Sequence, residues 1–466
     1  MKKVCYLLFL MIMTNKSFAQ TDNYKVAISN FQKSYNSDKY NEIFNSFDDK
    51  MKEALPIDKI EQVFVGLKAE MGKIETTEFI SQKGTLASFK TKFERGTKLI
   101  NLSLDSQNKI NGLRLKPYEE DSKTINGLKN YPKEVAELIY SKTKNLPNNT
   151  QLSIALIQNG KVDYFGIIKV NDTIKPAENQ NKIFEIGSIT KVFTSTVLAG
   201  LVVDKKLKLT DNINDYYTFS FKDNIKINFE SLANHTSKLP RMPENFVSLD
   251  EKNPYKSYGK KEIEDYLQNV LKLENGTTLA YSYSNLGAGL LGHTLGLSQK
   301  MSFQDLLQKK VLDKYKMKNT FMSAQNIADK KLTNKLVKGQ NEDGEIVSNW
   351  DLNVLFSAGG ILSTTEDLAK FAYAQFDAKN KELALTQKPT ADANGTMKIG
   401  LGWHIVKSEN GQQLLWHNGG TGGYRSYMAL NIKNKTGIII LSNVSSFSSK
   451  SQNIDDLSLE LIKQIK

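Results

Sequence analysis

Cysteine is almost missing: Cys5 is the only one in 466 residues. It lies in an apolar leader and too early to take a lipid, so the rest of the chain has no disulfides, no thiol nucleophile and no cysteine metal ligand. Histidine is scarce too. His235, His293, His404 and His417 show no metal-ligand spacing, so neither a metal nor another cofactor is expected. No stretch after the leader is long enough to be a transmembrane helix. The net charge is +13, yet the basic residues are scattered, and no arginine-rich or aromatic-interleaved patch argues for a nucleic-acid partner. A Gly-x-Ser-x-Gly elbow is also lacking, since Thr190 stands in its last position around Ser188.

Residues 1–19 read as a secretory signal peptide. Lys2-Lys3 is the basic start, Val4 to Met13 the apolar core, and Ser17-Phe18-Ala19 the cleavage site before Gln20. Removing Lys2, Lys3 and Lys16 with it lowers the net charge to +10. The expectation is an exported protein, periplasmic or extracellular, with no stable membrane anchor after cleavage.

Residues 21–117 are expected to form a small α+β accessory domain. Helix-spaced Phe31, Tyr35, Tyr40, Phe44 and Phe47 come first, and Pro56 opens a second helix. Strand-like segments follow at Thr76–Lys83, Leu86–Glu94, Lys98–Asp105 and Lys109–Leu115. Residues 118–131 are polar and read as a linker. The main domain, 132–466, starts with a helix from Pro132 to Lys144. A hairpin turning at Asn159-Gly160 follows, with Lys161–Val170 as its second strand. The middle is mostly helix and loop. Strands return at Lys398–Val406, Gln412–His417, Tyr424–Ile432 and Gly437–Asn443, and a helix closes the chain at Asp455–Ile465. Strands at both ends predict one antiparallel sheet flanked by helices, with a helical insertion over it and the site at their junction.

The chemistry is expected near Phe184–Val203. From Ile189 to Val203 the only charged residue is Lys191, in a run apolar on all sides. A lysine buried in such a helix is costly without a partner or a task. Ser188 lies three residues earlier, on the same helix face, after a glycine that permits a tight turn. A hydroxyl, a nearby amine and helix N-terminal amides are what an activated serine nucleophile needs. The pattern alone is weak: Ser106/Lys109, Ser141/Lys144 and Ser257/Lys260 repeat it in polar segments. A helix cap with a snorkelling lysine is the plain alternative.

Two later stretches change the balance. Tyr283-Ser284-Asn285 offers a phenol two residues before an amide, and Ser-Asn also reads as a helix cap. A lysine ammonium beside the phenol would lower its pKa and let it take the proton of Ser188, while Asn285 holds Lys191 or a substrate amide. His417-Asn418-Gly419-Gly420-Thr421 is glycine-rich at a strand edge, either a plain turn or a place where substrate backbone pairs. The Gly420 N–H is the candidate second oxyanion donor beside that of Ser188.

The order Ser188-x-x-Lys191, Tyr283-x-Asn285, His417-x-Gly419 resembles that of the penicillin-recognising serine hydrolases. The flanks are similar to the branch of class C β-lactamases, D-alanyl-D-alanine carboxypeptidases and related esterases. They include His235-Thr236-Ser237, the Ala358–Thr364 stretch and Gly400–Trp403. The first domain resembles the cone-shaped accessory domains of the nuclear-transport-factor-2 type. The resemblance implies a β-lactamase/transpeptidase-like α/β (α+β) fold and an acyl-enzyme mechanism. Ser188, Lys191 and Tyr283 would be catalytic. Asn285, His417, Gly419, Gly420 and Thr421 would bind substrate and oxyanion. D-alanyl peptides of peptidoglycan type, or related small amides and esters, are the expected substrates. A β-lactamase, a penicillin-binding sensor that stalls after acylation, and an envelope protein with a vestigial site stay open. Two departures stand out. The β-lactamases of this branch carry Lys-Thr-Gly where this chain has His417-Asn418-Gly419, and a glycine where it has Lys238.

Overall fold

A computed structural model describes residues 22–118, 123–274, 281–407 and 411–464. The expected signal peptide, with Cys5, lies outside them. The chain divides into two compact units, one up to Ser122 and one from Lys123.

In the first unit a helix over residues 22–36 is followed by Tyr40–Asn45, Asp49–Ala54 and Ile57–Met71. Four antiparallel strands follow in sequence order: Ile74–Lys83, Leu86–Phe93, Gly96–Leu104 and Ile110–Pro117. The helix-spaced aromatics meet the sheet in one core, where Phe31 and Tyr35 pack edge-on against Phe64.

The second unit is built on an 11-stranded sheet that joins the early and late parts of the chain. Thr436–Ser442 pairs antiparallel with Gln151–Gln158, and on its other side with Arg425–Asn431. Gln413–Gly420, His404–Lys407 and Met397–Ile399 extend the sheet in that direction. The buried strand Thr436–Ser442 faces protein on both sides. Ile439 and Leu441 point toward the helical layer carrying Thr190–Val203, and Ile438 and Ile440 toward helices Lys133–Thr143 and Gln452–Gln464.

Three boundaries differ from the sequence reading. Ile125–Asn126, expected as linker, pairs parallel with Thr173–Ile174 and belongs to the large sheet. The strand expected over Lys161–Val170 breaks at Phe165-Gly166 into Lys161–Tyr164 and Ile167–Val170. A Cβ on Gly166 would stand 2.0 Å from the Ala177 carbonyl oxygen, so the chain crosses its neighbour there too closely for a side chain. Lys398–Val406 likewise splits, because Gly402 takes φ +76° and packs on the Lys191 carbonyl. That break presses the sheet edge against the helix holding Lys191.

A short ribbon, Phe184–Glu185 with Leu362–Ser363, leads into that helix. It also brings the Ala358–Gly360 turn beside residue 191.

Candidate active site

Gly187 takes φ +50°, and the chain passes through a 3-10 turn, Gly187–Ile189, into helix Thr190–Val203. Ser188 therefore sits at the mouth of the helix, and Lys191 in its first turn. Eleven of the helix's 14 residues are buried, so Lys191 has no path to water along its own helix.

Its amine is fully engaged instead. Lys191 Nζ lies 3.0 Å from Ser188 Oγ, 2.8 Å from Asn285 Oδ1 and 2.7 Å from the Ala358 carbonyl oxygen. Three contacts suit the three N–H of an ammonium. They also suit a neutral amine that donates twice and accepts the Ser188 O–H. Burial favours the second: it pushes the lysine well below its ordinary pKa, and the nearby charge of Arg241 adds to the effect. Thr190 is buried, and its hydroxyl accepts the Ile361 N–H at 3.1 Å.

Tyr283 comes close enough for the Ser188 hydroxyl to influence its titration, and its ring centre is 4.9 Å from Lys191 Nζ. The expected lowering of its pKa does not occur. Burial pushes the phenol up to about 12, outweighing the opposing pull of the Ser188 hydroxyl and of Arg241. A lysine whose own charged form is disfavoured by burial gives a phenolate little support. The phenol therefore stays protonated at neutral pH, beside an amine whose basicity burial lowers.

Ser284 caps helix Asn285–Gln299: its Oγ accepts the Gly287 N–H at 2.8 Å and donates to the Pro240 carbonyl at 2.6 Å. The cap reading and the Asn285 contact to Lys191 therefore hold together.

The third motif lies on strand Gln413–Gly420. Ser188, Asn285, Gly420 and Thr421 line one pocket of about 30 Å³ with Tyr255, Trp350 and Gly359. Gly419 lies behind them. A Cβ there would be 2.0 Å from the Ile186 carbonyl oxygen and 2.9 Å from Ser188 N, so strand and turn touch backbone to backbone. The carboxylate of Asp455, on the last helix, accepts Asn418 Nδ2–H at 2.7 Å and Arg425 Nε–H at 2.9 Å, tying this strand end in place.

His417 is buried and does not line the pocket. Its ring centre is 4.8 Å from that of His404 and 6.3 Å from that of Tyr283. Burial pushes its pKa well below the ordinary value, so the ring is neutral at pH 7. It provides no cation where the related β-lactamases carry lysine.

Several neighbours of the site were not legible in the motifs. His235 lies 4.5 Å from Tyr283, ring centre to ring centre, and its Nδ1 accepts the Ser284 N–H at 3.2 Å. His404 meets the Tyr281 hydroxyl at 3.1 Å through Nε2. Three of the four histidines thus pack around Tyr283 as buried, uncharged rings. Among the described residues no group of histidines and acids is arranged to hold a metal. Arg241 lies with its guanidinium carbon 5.2 Å from the Tyr283 ring centre. Glu185 supports the far wall. Burial pushes its carboxyl up, against hydrogen bonds from the Asn349 side chain and the Trp350 backbone. Lys238 keeps the left-handed backbone of a glycine, at φ +59°.

The beta-lactamase family profile matches residues 148–460. A profile of unknown function, DUF3887, matches residues 29–113. The chain is 26% identical over 330 residues to a protein named beta-lactamase from Pseudomonas fluorescens, covering 63% of this chain and 88% of that protein. It is 24% identical over 313 residues to Protein flp of Staphylococcus aureus strain MW2, covering 63% of this chain and 59% of that protein. The chain therefore spans less than two thirds of the length of Protein flp. No helix among the described residues is long and apolar enough to cross a membrane.

Proposed function

Because this chain belongs to the beta-lactamase family, we propose that it is an exported serine hydrolase that cleaves D-alanyl peptides or related esters through an acyl-enzyme. One observation carries the reading. Lys191 Nζ, 3.0 Å from Ser188 Oγ, and the Tyr283 phenol converge on one hydroxyl from motifs 92 residues apart.

The directions in which burial shifts Lys191 and Tyr283 favour one order of steps. Neutral Lys191 accepts the Ser188 proton as Oγ attacks the substrate carbonyl. The backbone N–H groups of Ser188 and Gly420 hold the oxyanion. Tyr283, still a phenol, gives its proton to the leaving amine or alkoxide and regains one from Lys191. Water then enters against the same base, and the acid product leaves. Asn285 keeps the amine aimed at Ser188, and Thr421 lies on the pocket wall beside Gly420. Export rests on the leader sequence.

A second reading, hydrolysis of β-lactams, is favoured by likeness to the Pseudomonas fluorescens protein named beta-lactamase. Intact-mass spectrometry separates the readings. The protein is mixed in turn with a benzylpenicillin, a D-alanyl-D-alanine peptide and a p-nitrophenyl ester. Peptide turnover with a slowly cleared penicillin adduct supports the first reading, and rapid penicillin turnover without an adduct the second. A permanent adduct identifies a sensor. No adduct and no turnover on any of the three overturns the hydrolase reading.

A further inference from the structure

We infer that Arg241 is the anion anchor of this site, and that its guanidinium receives a carboxylate on the leaving-group half of the substrate. The inference rests on the serine-hydrolase reading and adds the substrate's charge and the residue that reads it.

Few cations near Ser188 remain free to meet a ligand. Lys191 is buried, and all its contacts go to Ser188, Asn285 and Ala358. His235, His404 and His417 are buried rings packed on one another and on Tyr283. None presents a charge to a ligand. Arg241 is exposed, and among the described residues its side chain has neither an ion pair nor a hydrogen bond. Its one described partner is the face of Tyr283, 5.2 Å away.

Its position is not accidental. The Arg241 carbonyl accepts the Asn285 N–H at 3.0 Å and the Leu286 N–H at 3.2 Å. The residue is therefore fastened to the first turn of the helix that supplies Asn285. The face of Tyr283 holds the guanidinium, and because the residue is exposed its N–H donors stay open to solvent. A planar fork of donors held this way matches a carboxylate in two parallel bonds. Tyr283 is the proposed proton donor to the leaving group, so an anion at Arg241 belongs to that half of the substrate. This also answers the exchange of lysine for a neutral His417: the charge is supplied by the loop after Pro240, against the same Tyr283 ring.

Two esters test it: benzoylglycyl-lactic acid, with a free carboxylate on the leaving group, and benzoylglycyl-lactamide, which differs only in lacking the charge. The wild-type protein should prefer the acid by about tenfold or more in kcat/KM, the range of one charge-assisted contact. Arg241→Gln should lose that preference mainly through KM on the acid, while any effect it has through Lys191 and Tyr283 falls on kcat of both esters alike. Arg241→Lys should keep part of it. An equal loss on both esters would make Arg241 a support for Tyr283 and overturn the proposal, as would no loss on either. Calorimetric binding of both esters to Ser188→Ala and to Ser188→Ala/Arg241→Gln gives the same comparison without chemistry. A preference for the acid that depends on Arg241 there, with no turnover in the wild-type protein, would spare the anchor and sink the hydrolase reading. Equal binding of the two esters to Ser188→Ala would sink the anchor.

Discussion

Replacing Gly419 by alanine asks whether the contact between the third motif and the Ser188 turn sets the oxyanion geometry. The new Cβ would stand 2.0 Å from the Ile186 carbonyl oxygen, 2.6 Å from Ser426 Oγ and 2.9 Å from Ser188 N. Two of these atoms are backbone, and Ser426 Oγ is itself bonded to Ile186 O at 2.8 Å, so none can swing aside. Carbon and oxygen sit comfortably near ~3.3 Å, so strand and turn must part by about 1 Å. Overpacking of this kind costs about 1–3 kcal/mol, which a fold of this size survives. A displacement of about 1 Å at the reacting atoms costs about 100-fold in rate. Acylation by a p-nitrophenyl ester, followed by stopped flow beside thermal unfolding, should thus show a fall of about two orders of magnitude in a folded protein. Gly200→Ala is the control, since no atom lies within 4 Å of its added Cβ. It should leave acylation unchanged and stabilise the protein by about 0.5–1 kcal/mol. A Gly419→Ala acylation rate within threefold of wild type would refute the reasoning.

The other predictions concern protons and turns. Lys191 has a folded pKa well below its unfolded value, so between the two the unfolded chain binds the extra proton and stability rises with pH. Unfolding free energies of wild type and Lys191→Met, measured from pH 7 to 10, should diverge in favour of wild type as pH rises; parallel profiles would mean the lysine stays charged. Acylation should weaken as acid protonates Lys191, and Lys191→Met should lack activity at every pH. Tyr283→Phe should cut acylation by about 100-fold or more with unchanged melting; a near-normal rate would leave the proton traffic to Lys191 alone. Lys238→Gly should stabilise the protein by about 1 kcal/mol, because φ +59° is strained for lysine and free for glycine. A loss of stability on denaturant titration would show that the side chain itself is needed.

Much of this site could be read from the chain because its chemistry is written in short motifs. Lysine in an apolar helix three residues after serine admits few explanations, and Tyr283-x-Asn285 and the glycines after His417 narrowed them further. The strands were legible where side chains alternate or run apolar, as at Gln151–Gln158 and Thr436–Ser442. What escaped depends on contacts between distant segments. Nothing local marks the Ala358 carbonyl as a partner of Lys191, although the stretch containing it was singled out. Ile125–Asn126 looks like linker because two residues are too few to show a period. The direction of the Tyr283 shift was misjudged because a sequence reports the neighbouring charge and not the burial that neutralises it. Arg241 stands four residues past His235-Thr236-Ser237, and its meaning emerges only because the other cations are enclosed.

The most direct test of the central claim is to trap the acyl-enzyme with a fluorescent penicillin and locate the label by peptide mass mapping. The account predicts a single modified peptide, bearing the acyl group on Ser188, and no label in Ser188→Ala. Label on any other residue, or label surviving in that variant, would contradict it.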